Sequence, residues 1–424
     1  MSGLEGIKVL DLSQYVAAPA GPRVLGELGA EVIKIEPLTG DEQRTQGASF
    51  GMADDQIENR GYDMANTNKS WVSINLKDPK GYEFALKLIA DADIVVTSFR
   101  DSALRKLGLD YKTLSAKFPK LVFAQMRGYG ERGPLKDAKG FDATAYGARG
   151  GPALNIPQKG DAPGNMPAAF GDFYAALALC TGVLAALVRR MKTGKGDRVS
   201  VNLYHVALWG MHVPILSRQE GLEFPKSRKS VPCPTNNCYQ SKDGEWFIMC
   251  FGHYNKYFEL VMRTIGLDEL IGNKELDTLE VIGKNGKNVY VIKRMEEAFA
   301  TKTFAEWEKL FLENDIPFQK CFKIDDILGD EEAYTNDSLR RFKYDLGDRV
   351  MPTSPVRMWS VGDPKIWIAK PVGYDTRKYM LKYGYSEDEI AQMSKDGAVK
   401  LYDGRPLKFD KAEPTSAITA LGDV

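Results

Sequence analysis

The first 126 residues alternate short β-branched runs with helix-forming stretches, and few folds accept that alternation. Ile7-Lys8-Val9-Leu10-Asp11-Leu12 and Glu31-Val32-Ile33-Lys34-Ile35-Glu36 read as strands. The stretch from Pro19 to Leu28 between them reads as a helix that opens with prolines. The spacing suits a parallel β-α-β crossover. Val72 to Leu76 reads as a further strand, Asp78-Pro79 caps and opens a helix to about Ala90, and Ile94 to Thr97 reads as a buried strand. Helical pieces over 101–118 lead to a strand from Leu121 to Met126. The series predicts an α/β fold with a doubly wound, mostly parallel sheet. Ligands of such sheets sit at the carboxyl ends of strands. Here those ends are Ser13 to Ala17, Asn75 to Lys77, Ser98 to Arg100 and Arg127 to Tyr129. The first turn, Ser13 to Pro19, has no Gly-x-Gly-x-x-Gly, so the dinucleotide fingerprint is missing.

Residues 127–170 are rich in Gly, Pro, Lys and Asp and read as a long loop with one short helix near 142–149. The loop feeds Gly171-Asp172 and then an apolar helix. An Asp directly before a long apolar run reads as a helix N-cap. Arg189, Arg190 and Lys192 would lie in the last turn, with Gly194 as the stop. By this reading Asp172 is a carboxylate at the mouth of a buried helix, where free N–H groups and the helix dipole favour negative charge. The plain alternative is a capping carboxylate and nothing more. Asp197 to Asn202 then reads as a strand and 203–219 as a helix.

Past residue 221 the character shifts. Arg218 to Pro234 is polar and Pro-containing, a linker by composition. Tyr239 to Cys250 reads as a β-hairpin around Asp243-Gly244. Helical segments at 255–265, 287–300 and 303–314 complete a smaller α+β region. A charged stretch follows 330, then a hairpin-like strand region near 355–370 and an amphipathic helix over 386–394.

Charge and side-chain supply exclude several classes. The 57 basic and 57 acidic residues balance, which argues against nucleic acid or an anionic membrane as the main partner. The start lacks a charged segment followed by an apolar one, so no signal peptide is expected. The longest apolar run, Ala175 to Val188, reads as too short and interrupted to span a bilayer. Five scattered cysteines without a Cys-x-x-Cys pair suit reduced thiols in the cytoplasm, not a disulfide or zinc framework. Three histidines, His205, His212 and His253, supply a His-based metal site or a Ser-His-Asp triad poorly.

An ordered series of motifs resembles the family III CoA-transferases, the formyl-CoA transferase and carnitine CoA-transferase (CaiB/BaiF) type. The pieces are Leu-Glu-Gly-Ile-Lys-Val-Leu-Asp-Leu-Ser (4–13), Leu-Gly-Ala-Glu-Val-Ile-Lys-Ile-Glu-Pro (28–37) and Asn-Lys-Ser-Trp-Val-Ser-Ile-Asn-Leu-Lys (68–77). Ser-Phe-Arg-Asp-Ser-Ala-Leu-Arg-Lys-Leu-Gly (98–108), Gly-Phe-Asp (140–142), Gly171-Asp172 and Lys-Thr-Gly-Lys-Gly-Asp-Arg-Val-Ser-Val (192–201) continue it. The resemblance runs from about residue 4 to about 395. It implies a large α/β domain whose first part is 1–220, a small domain over 221–330, and a return of 331–424 to the large domain. It also implies an interlocked homodimer.

The resemblance makes Asp172 the catalytic nucleophile. A carboxylate attacks the thioester carbonyl of an acyl-CoA to give an aspartyl anhydride, and CoA thiolate converts that into an aspartyl-CoA thioester. The acid acceptor then takes the CoA through a second anhydride. Nearby backbone N–H groups would hold each oxyanion. No metal and no permanently bound cofactor is required, since the CoA thioester is itself substrate. By the same resemblance Val16 and Ala17 lie under the thiol arm. Ile74, Asn75, Leu76 and Lys77 contact the nucleotide, as do Ser98, Phe99 and Arg100. Lys106 and Lys139 meet CoA phosphates, and Asp142 sits near the nucleophile. The plain alternative for each basic residue is a solvated surface charge.

Some positions depart from the family pattern. Family members often carry Gln at the position of Val16 and Asn at that of Ser98. The glycine-rich lid of the formyl-CoA type is replaced here by Val-Pro-Cys-Pro-Thr-Asn-Asn-Cys-Tyr (231–239). Gly373-Tyr374-Asp375-Thr376 stands where Gly-Glu-His-Thr is common. The stretch 228–239 resembles the 2-hydroxyacid CoA-transferases of anaerobic amino-acid fermentation, which act on (R)-2-hydroxyisocaproate or (R)-phenyllactate. Two rivals remain. A 2-methylacyl-CoA racemase needs a His after the strand ending at Met126, and Arg127-Gly128-Tyr129-Gly130 has none. A non-catalytic CoA-binding protein would have no need of Gly171-Asp172.

Overall fold

The structure is a computed structural model that describes residues 2–52, 58–344 and 347–404. The chain divides into two compact units. One comprises Met1–Pro152, Asn165–Val213 and Glu331–Val424, the other Ala153–Gly164 and Pro214–Asp330. Residues 405–424 of the expected C-terminal return lie outside the described residues.

The first unit runs β1 (Lys8–Leu12), α1 (Ala17–Glu27), β2 (Glu31–Glu36), α2 (Arg60–Asn66), β3 (Ser70–Ile74), α3 (Pro79–Ala90), β4 (Ile94–Thr97), α4 (Asp101–Leu107), α5 (Tyr111–Lys117) and β5 (Val122–Arg127). A π-helical segment, Asp142–Arg149, and one turn, α6 (Pro152–Asn155), precede α7 (Phe170–Thr193), β6 (Arg198–Asn202), α8 (Leu203–Gly210) and α9 (His212–Gln219); α6 from Ala153 and α9 from Pro214 belong to the second unit. The stretch 203–219, which reads as one helix in sequence, is therefore two.

Strands β1 to β6 pair in parallel in the order β3-β2-β1-β4-β5-β6. Their carboxyl ends share one edge of the sheet. β4 and the first five residues of β5 are buried, as runs without alternation require in a sheet covered on both faces. Helix α1 is buried over almost its whole length because it lies between the sheet and α7. Helix α7 has 24 residues, about 36 Å at 1.5 Å per residue. By length and composition it is long and apolar enough to cross a membrane, unlike the shorter apolar run read from sequence. Half of its most apolar window is buried inside the unit, where it packs on α1, β5, β6 and α8.

The second unit holds an antiparallel sheet, β7 (Asn236–Gln240), β8 (Trp246–Cys250) and β9 (Phe318–Lys320), in that order. Between β8 and β9 come α10 (Tyr254–Thr264), α11 (Leu279–Lys284), α12 (Asn288–Phe299) and α13 (Phe304–Glu313), with α14 (Ile324–Leu328) after β9. Phe247, Phe299, Trp307 and Phe311 form its aromatic core, Trp307 stacked on Phe311 at 5.8 Å.

The chain re-enters the first unit with α15 (Glu331–Thr335), a hairpin of β10 (Leu339–Phe342) and β11 (Arg349–Pro352), α16 (Thr376–Lys382), α17 (Glu387–Lys395) and β12 (Val399–Lys400). The hairpin thus precedes the 355–370 region expected from sequence, which contains no strand. β12 joins the sheet antiparallel to β3. The Trp71 N–H donates to Asp375 Oδ2 at 2.8 Å and the Ser73 N–H to Thr376 Oγ1 at 2.9 Å. The Gly373–Thr376 turn therefore satisfies backbone donors at the outer edge of β3.

Candidate active site

The ends of β1, β4 and β5, the 136–142 loop and the first turn of α7 enclose a cavity of about 640 Å³. Gln14, Tyr15, Ala17, Ser98, Phe99, Arg100, Met126, Arg127, Lys136, Lys139, Phe141, Asp142, Asp172 and Leu203 are among its lining residues, and so is Glu42. Apolar rings and four cations share this wall. Such a mixture suits a ligand with an apolar arm and anionic groups.

Asp172 is the third residue of α7 and not its cap. The N-cap is Ala169, a non-glycine with φ +62°. The capping carboxylate comes from Asp142, at the start of the π-helical segment. Its Oδ1 accepts the Gly171 N–H at 2.8 Å, and the Phe170 and Asp172 N–H groups also favour its ionised form. Burial nonetheless raises the Asp142 carboxyl above its ordinary value. Asp172 is 9% exposed. Burial, then the Asp142 charge, pushes its carboxyl up to about 7. The sequence expectation of a nucleophile held ionised by the helix end is reversed. The Gly171 N–H, one of the donors expected to face an oxyanion, is already engaged by Asp142.

Gly171 is fixed by close approach. A Cβ there would stand 2.2 Å from Tyr146 Cγ and 2.6 Å from Asp142 Oδ1. Gly128 and Gly140 show the same need, since a Cβ on Gly128 would meet Gly140 Cα at 2.5 Å. The loop carrying Lys139 and Phe141 crosses the end of β5 at that contact.

The β1–α1 turn hangs on buried charge. Lys34 Nζ donates to the Ser13 carbonyl at 2.7 Å and pairs with Asp41 Oδ2 at 2.9 Å. Lys69 Nζ donates to Asp11 Oδ2 at 2.8 Å and to the Pro19 carbonyl at 2.8 Å. All four charged side chains are buried. Asp41 Oδ1 accepts the Tyr15 N–H at 3.1 Å, and Ser98 Oγ accepts the Gln14 N–H at 3.0 Å. Tyr15 itself has φ +66°. A left-handed backbone at a residue with a Cβ costs about 1–2 kcal/mol, so the surrounding bonds must hold it. On the opposite wall, Gln125 Nε2 donates to the Phe99 carbonyl at 2.8 Å, and Arg127 Nη2 pairs with Asp101 Oδ1 at 2.5 Å. These contacts tie the Ser98–Asp101 turn to β5.

Of the residues singled out in sequence, Ala17, Ser98, Phe99, Arg100, Lys139, Asp142 and Asp172 line the cavity. Val16 does not; it is buried in a small cluster with Ala20, Ala65, Ala169 and Ala176, behind the start of α7. Ile74 ends β3 and Asn75, Leu76 and Lys77 follow it, two strands from β1, and none of the four lines the cavity. Ile74 is buried, Leu76 packs on the core beneath, and Lys77 is exposed. The Asn75 side chain donates to the Gly397 carbonyl at 3.2 Å, next to β12. Lys106 is exposed on the last turn of α4 and also lies outside the cavity. Tyr15, Glu42 and Lys136 also line the cavity without being expected as site residues, and Phe141, within the Gly-Phe-Asp motif, joins them. Tyr15 and Arg127 fell within flagged strand ends, but nothing local marks Glu42, which follows Asp41 into the site. None of His205, His212 and His253 lines the cavity.

A family model, CoA-transferase family III, matches residues 4–376. The chain belongs to this family. It is 40% identical over 400 residues to (R)-2-hydroxy-4-methylpentanoate CoA-transferase of Clostridioides difficile, covering 94% of this chain and 100% of the relative. It is 39% identical to cinnamoyl-CoA:phenyllactate CoA-transferase of Clostridium sporogenes, covering 92% of this chain and 96% of the relative. Among solved structures, Rv3272 from M. tuberculosis superposes with a TM-score of 0.75 at 24% identity, covering 89% of this chain and 99% of that one. A CAIB/BAIF family protein from Brucella suis gives 0.73 at 22%, covering 90% and 99%. These two likenesses concern the fold alone. The protein is a CoA-transferase with a mostly parallel α/β sheet.

Proposed function

We propose that this CoA-transferase moves CoA from an acyl-CoA or enoyl-CoA to an (R)-2-hydroxy acid of the 2-hydroxyisocaproate or phenyllactate type, with Asp172 as nucleophile. The observation that carries the reading is the placement of Asp172. It is a nearly buried carboxylate on the first turn of α7, and it lines the strand-end cavity together with four cations. Identity of about 40% over most of the chain to two 2-hydroxy-acid CoA-transferases supports the substrate class.

The steps balance without an outside acid or base. An Asp172 oxygen attacks the donor thioester carbonyl, the C–S bond breaks, and CoA leaves as thiolate. The thiolate attacks the Asp172 carbonyl and releases the donor acid as carboxylate, leaving Asp172 as a CoA thioester. The acceptor carboxylate attacks that thioester and expels the thiolate again. Finally the thiolate attacks the acceptor carbonyl of the second anhydride, and the Asp172 carboxylate leaves. One negative charge passes between carboxylate and sulfur at each step, so cations along the wall can stabilise the oxyanions and the departing thiolate. Arg100, Arg127, Lys136 and Lys139 are the candidates. No metal or permanent cofactor enters these steps.

Phe170, Phe173 and Tyr174 are exposed on the helix that carries Asp172, and Trp209 and Met191 are exposed on α8 and α7. Their cover by a second copy in an interlocked homodimer belongs to the same reading. So does a cytoplasmic setting, which suits the free thiols of Cys180, Cys233, Cys238, Cys250 and Cys321.

Incubation with acyl-CoA followed by hydroxylamine tests the proposal. The expected product is a hydroxamate at Asp172, read by peptide mass spectrometry, with loss of transfer. An unmodified Asp172, together with an active Asp172→Ala variant, overturns it. A panel of acids read by mass spectrometry tests the substrate class, and preference for oxalate or carnitine would sink it.

A further inference from the structure

Tyr15 and Glu42 stand outside the transfer steps just described, yet both line the cavity with Asp172. The Tyr15 hydroxyl donates its proton to Glu42 Oε2. The Tyr15 ring meets Phe141 edge-on at 5.6 Å, and Phe141 adjoins Asp142, the cap of the Asp172 helix. The position of the ring is over-determined. Its backbone is left-handed, its N–H is held by Asp41, and the Ser13 carbonyl, two residues earlier, is held by the buried Lys34.

A phenol oxygen has one proton and two lone pairs. With the proton committed to Glu42, the oxygen offers only acceptor capacity to the cavity. The Glu42 carboxylate likewise only accepts. The wall thus asks for a donor on whatever packs against it. A hydroxyl supplies one. A methylene leaves the acceptors without a partner, and a keto oxygen sets lone pair against lone pair.

We propose that Tyr15 and Glu42 are the specificity pair for the acid acceptor, the Tyr15 oxygen accepting a hydrogen bond from the 2-hydroxyl group of the bound acid. This rests on the 2-hydroxy-acid reading given above. It adds that discrimination at the α-carbon comes from a hydroxyl whose proton is directed away from the substrate. Glu42→Gln places an amide opposite the phenol, which can then turn its proton toward the cavity. Tyr15→Phe removes the acceptor altogether.

The experiment compares kcat/KM for 2-hydroxy-4-methylpentanoate, 4-methylpentanoate and 2-oxo-4-methylpentanoate with one fixed acyl-CoA donor, in the full-length wild type and both variants. The wild type is expected to favour the hydroxy acid over the other two by roughly 100-fold or more, as sites built to bond a hydroxyl do. Tyr15→Phe brings the hydroxy to methylene ratio to within about threefold of unity, and Glu42→Gln raises the oxo acid relative to the hydroxy acid by about tenfold. A wild type that transfers CoA to none of the three acids overturns the functional reading itself. A wild type that discriminates, with both variants folded and keeping its ratios, overturns only the assignment of Tyr15 and Glu42. Thermal melts establish folding. Glu42 is exposed on a short turn, so its variant keeps the question open to measurement where Tyr15→Phe fails to fold.

Discussion

Replacing Asp172 by Asn is expected to abolish transfer while stabilising the protein, with a gain that grows as pH rises from about 4 to about 7 and is constant above that. Burial and the Asp142 charge move the Asp172 carboxyl from 3.8 to about 7 in the folded chain. At about 1.36 kcal/mol for each tenfold change, the ionised form costs the folded state about 4 kcal/mol. The sign follows from linkage. Between pH 4 and 7 the folded chain holds a proton that the unfolded chain has lost, so stability falls as pH rises across that window and then levels off. Asn has no such proton. Relative to wild type it gains little at pH 4.5 and up to about 4 kcal/mol at pH 8.5, less whatever its amide loses in unmade hydrogen bonds. For a unit of about 300 residues this corresponds to a rise in Tm of about 3–6 °C. Differential scanning fluorimetry at the two pH values, with transfer assayed in parallel, reads both effects. A variant whose Tm matches wild type at pH 8.5 would refute the reasoning, because Asp172 would then ionise like a solvated carboxyl.

Three further outcomes are expected. The kcat/KM for the acyl-CoA donor should climb as pH rises through about 7 and flatten above it, since the attacking form of Asp172 is the ionised one; a flat profile from pH 5.5 to 8.5 contradicts this. Gly171→Ala should lower kcat by about 100-fold, because its Cβ must displace the Tyr146 ring or the Asp142 carboxylate, and steady-state kinetics on folded protein checks it. Lys34→Met should destabilise the chain by about 3–5 kcal/mol in urea denaturation at pH 7, by leaving Asp41 and Asp11 with less compensating charge; an unchanged midpoint would show that those carboxylates are satisfied without it.

The strands β1, β2, β4 and β5 are legible because each carries clustered Val, Ile, Leu or Phe residues, broken by no more than one interior polar residue such as Asp11, Lys34 or Gln125. The edge strand β12, two residues long, carries no periodicity to read. The β10–β11 hairpin was misplaced toward 355–370 for a physical reason. Its strands carry Arg340, Arg341 and Arg349 and read as surface, yet Arg340 is buried because Asp337 accepts from its Nε at 2.8 Å. The 355–370 stretch has the apolar residues of a strand, but its backbone is committed elsewhere. The Trp367 N–H donates to Asn68 and the Ala369 N–H to Asp63. The site divides in the same way. Asp172 stood out because an acid beside an apolar run is visible locally. Glu42 and the capping role of Asp142 arise from contacts across 27 and 29 positions of sequence, which local pattern does not carry.

That long-range cap explains how one helix end treats two carboxylates differently. The free N–H groups of the first turn of α7 can compensate one buried negative charge well. Asp142 takes the Gly171 N–H directly and is also favoured by its two neighbours. Asp172, already inside the helix, projects into the cavity and keeps burial and the Asp142 charge as the forces acting on it. Its raised carboxyl follows from losing that competition. A carboxylate of higher basicity is the stronger nucleophile toward a thioester carbonyl, and a value near neutral pH keeps a useful fraction of it ionised. The same basicity makes Asp172 the poorer leaving group when CoA thiolate attacks the acceptor anhydride. Cations on the cavity wall can offset that cost once substrate fills the site and excludes water. Asp142 therefore acts twice, holding the start of α7 in place and setting how reactive the residue after Gly171 is.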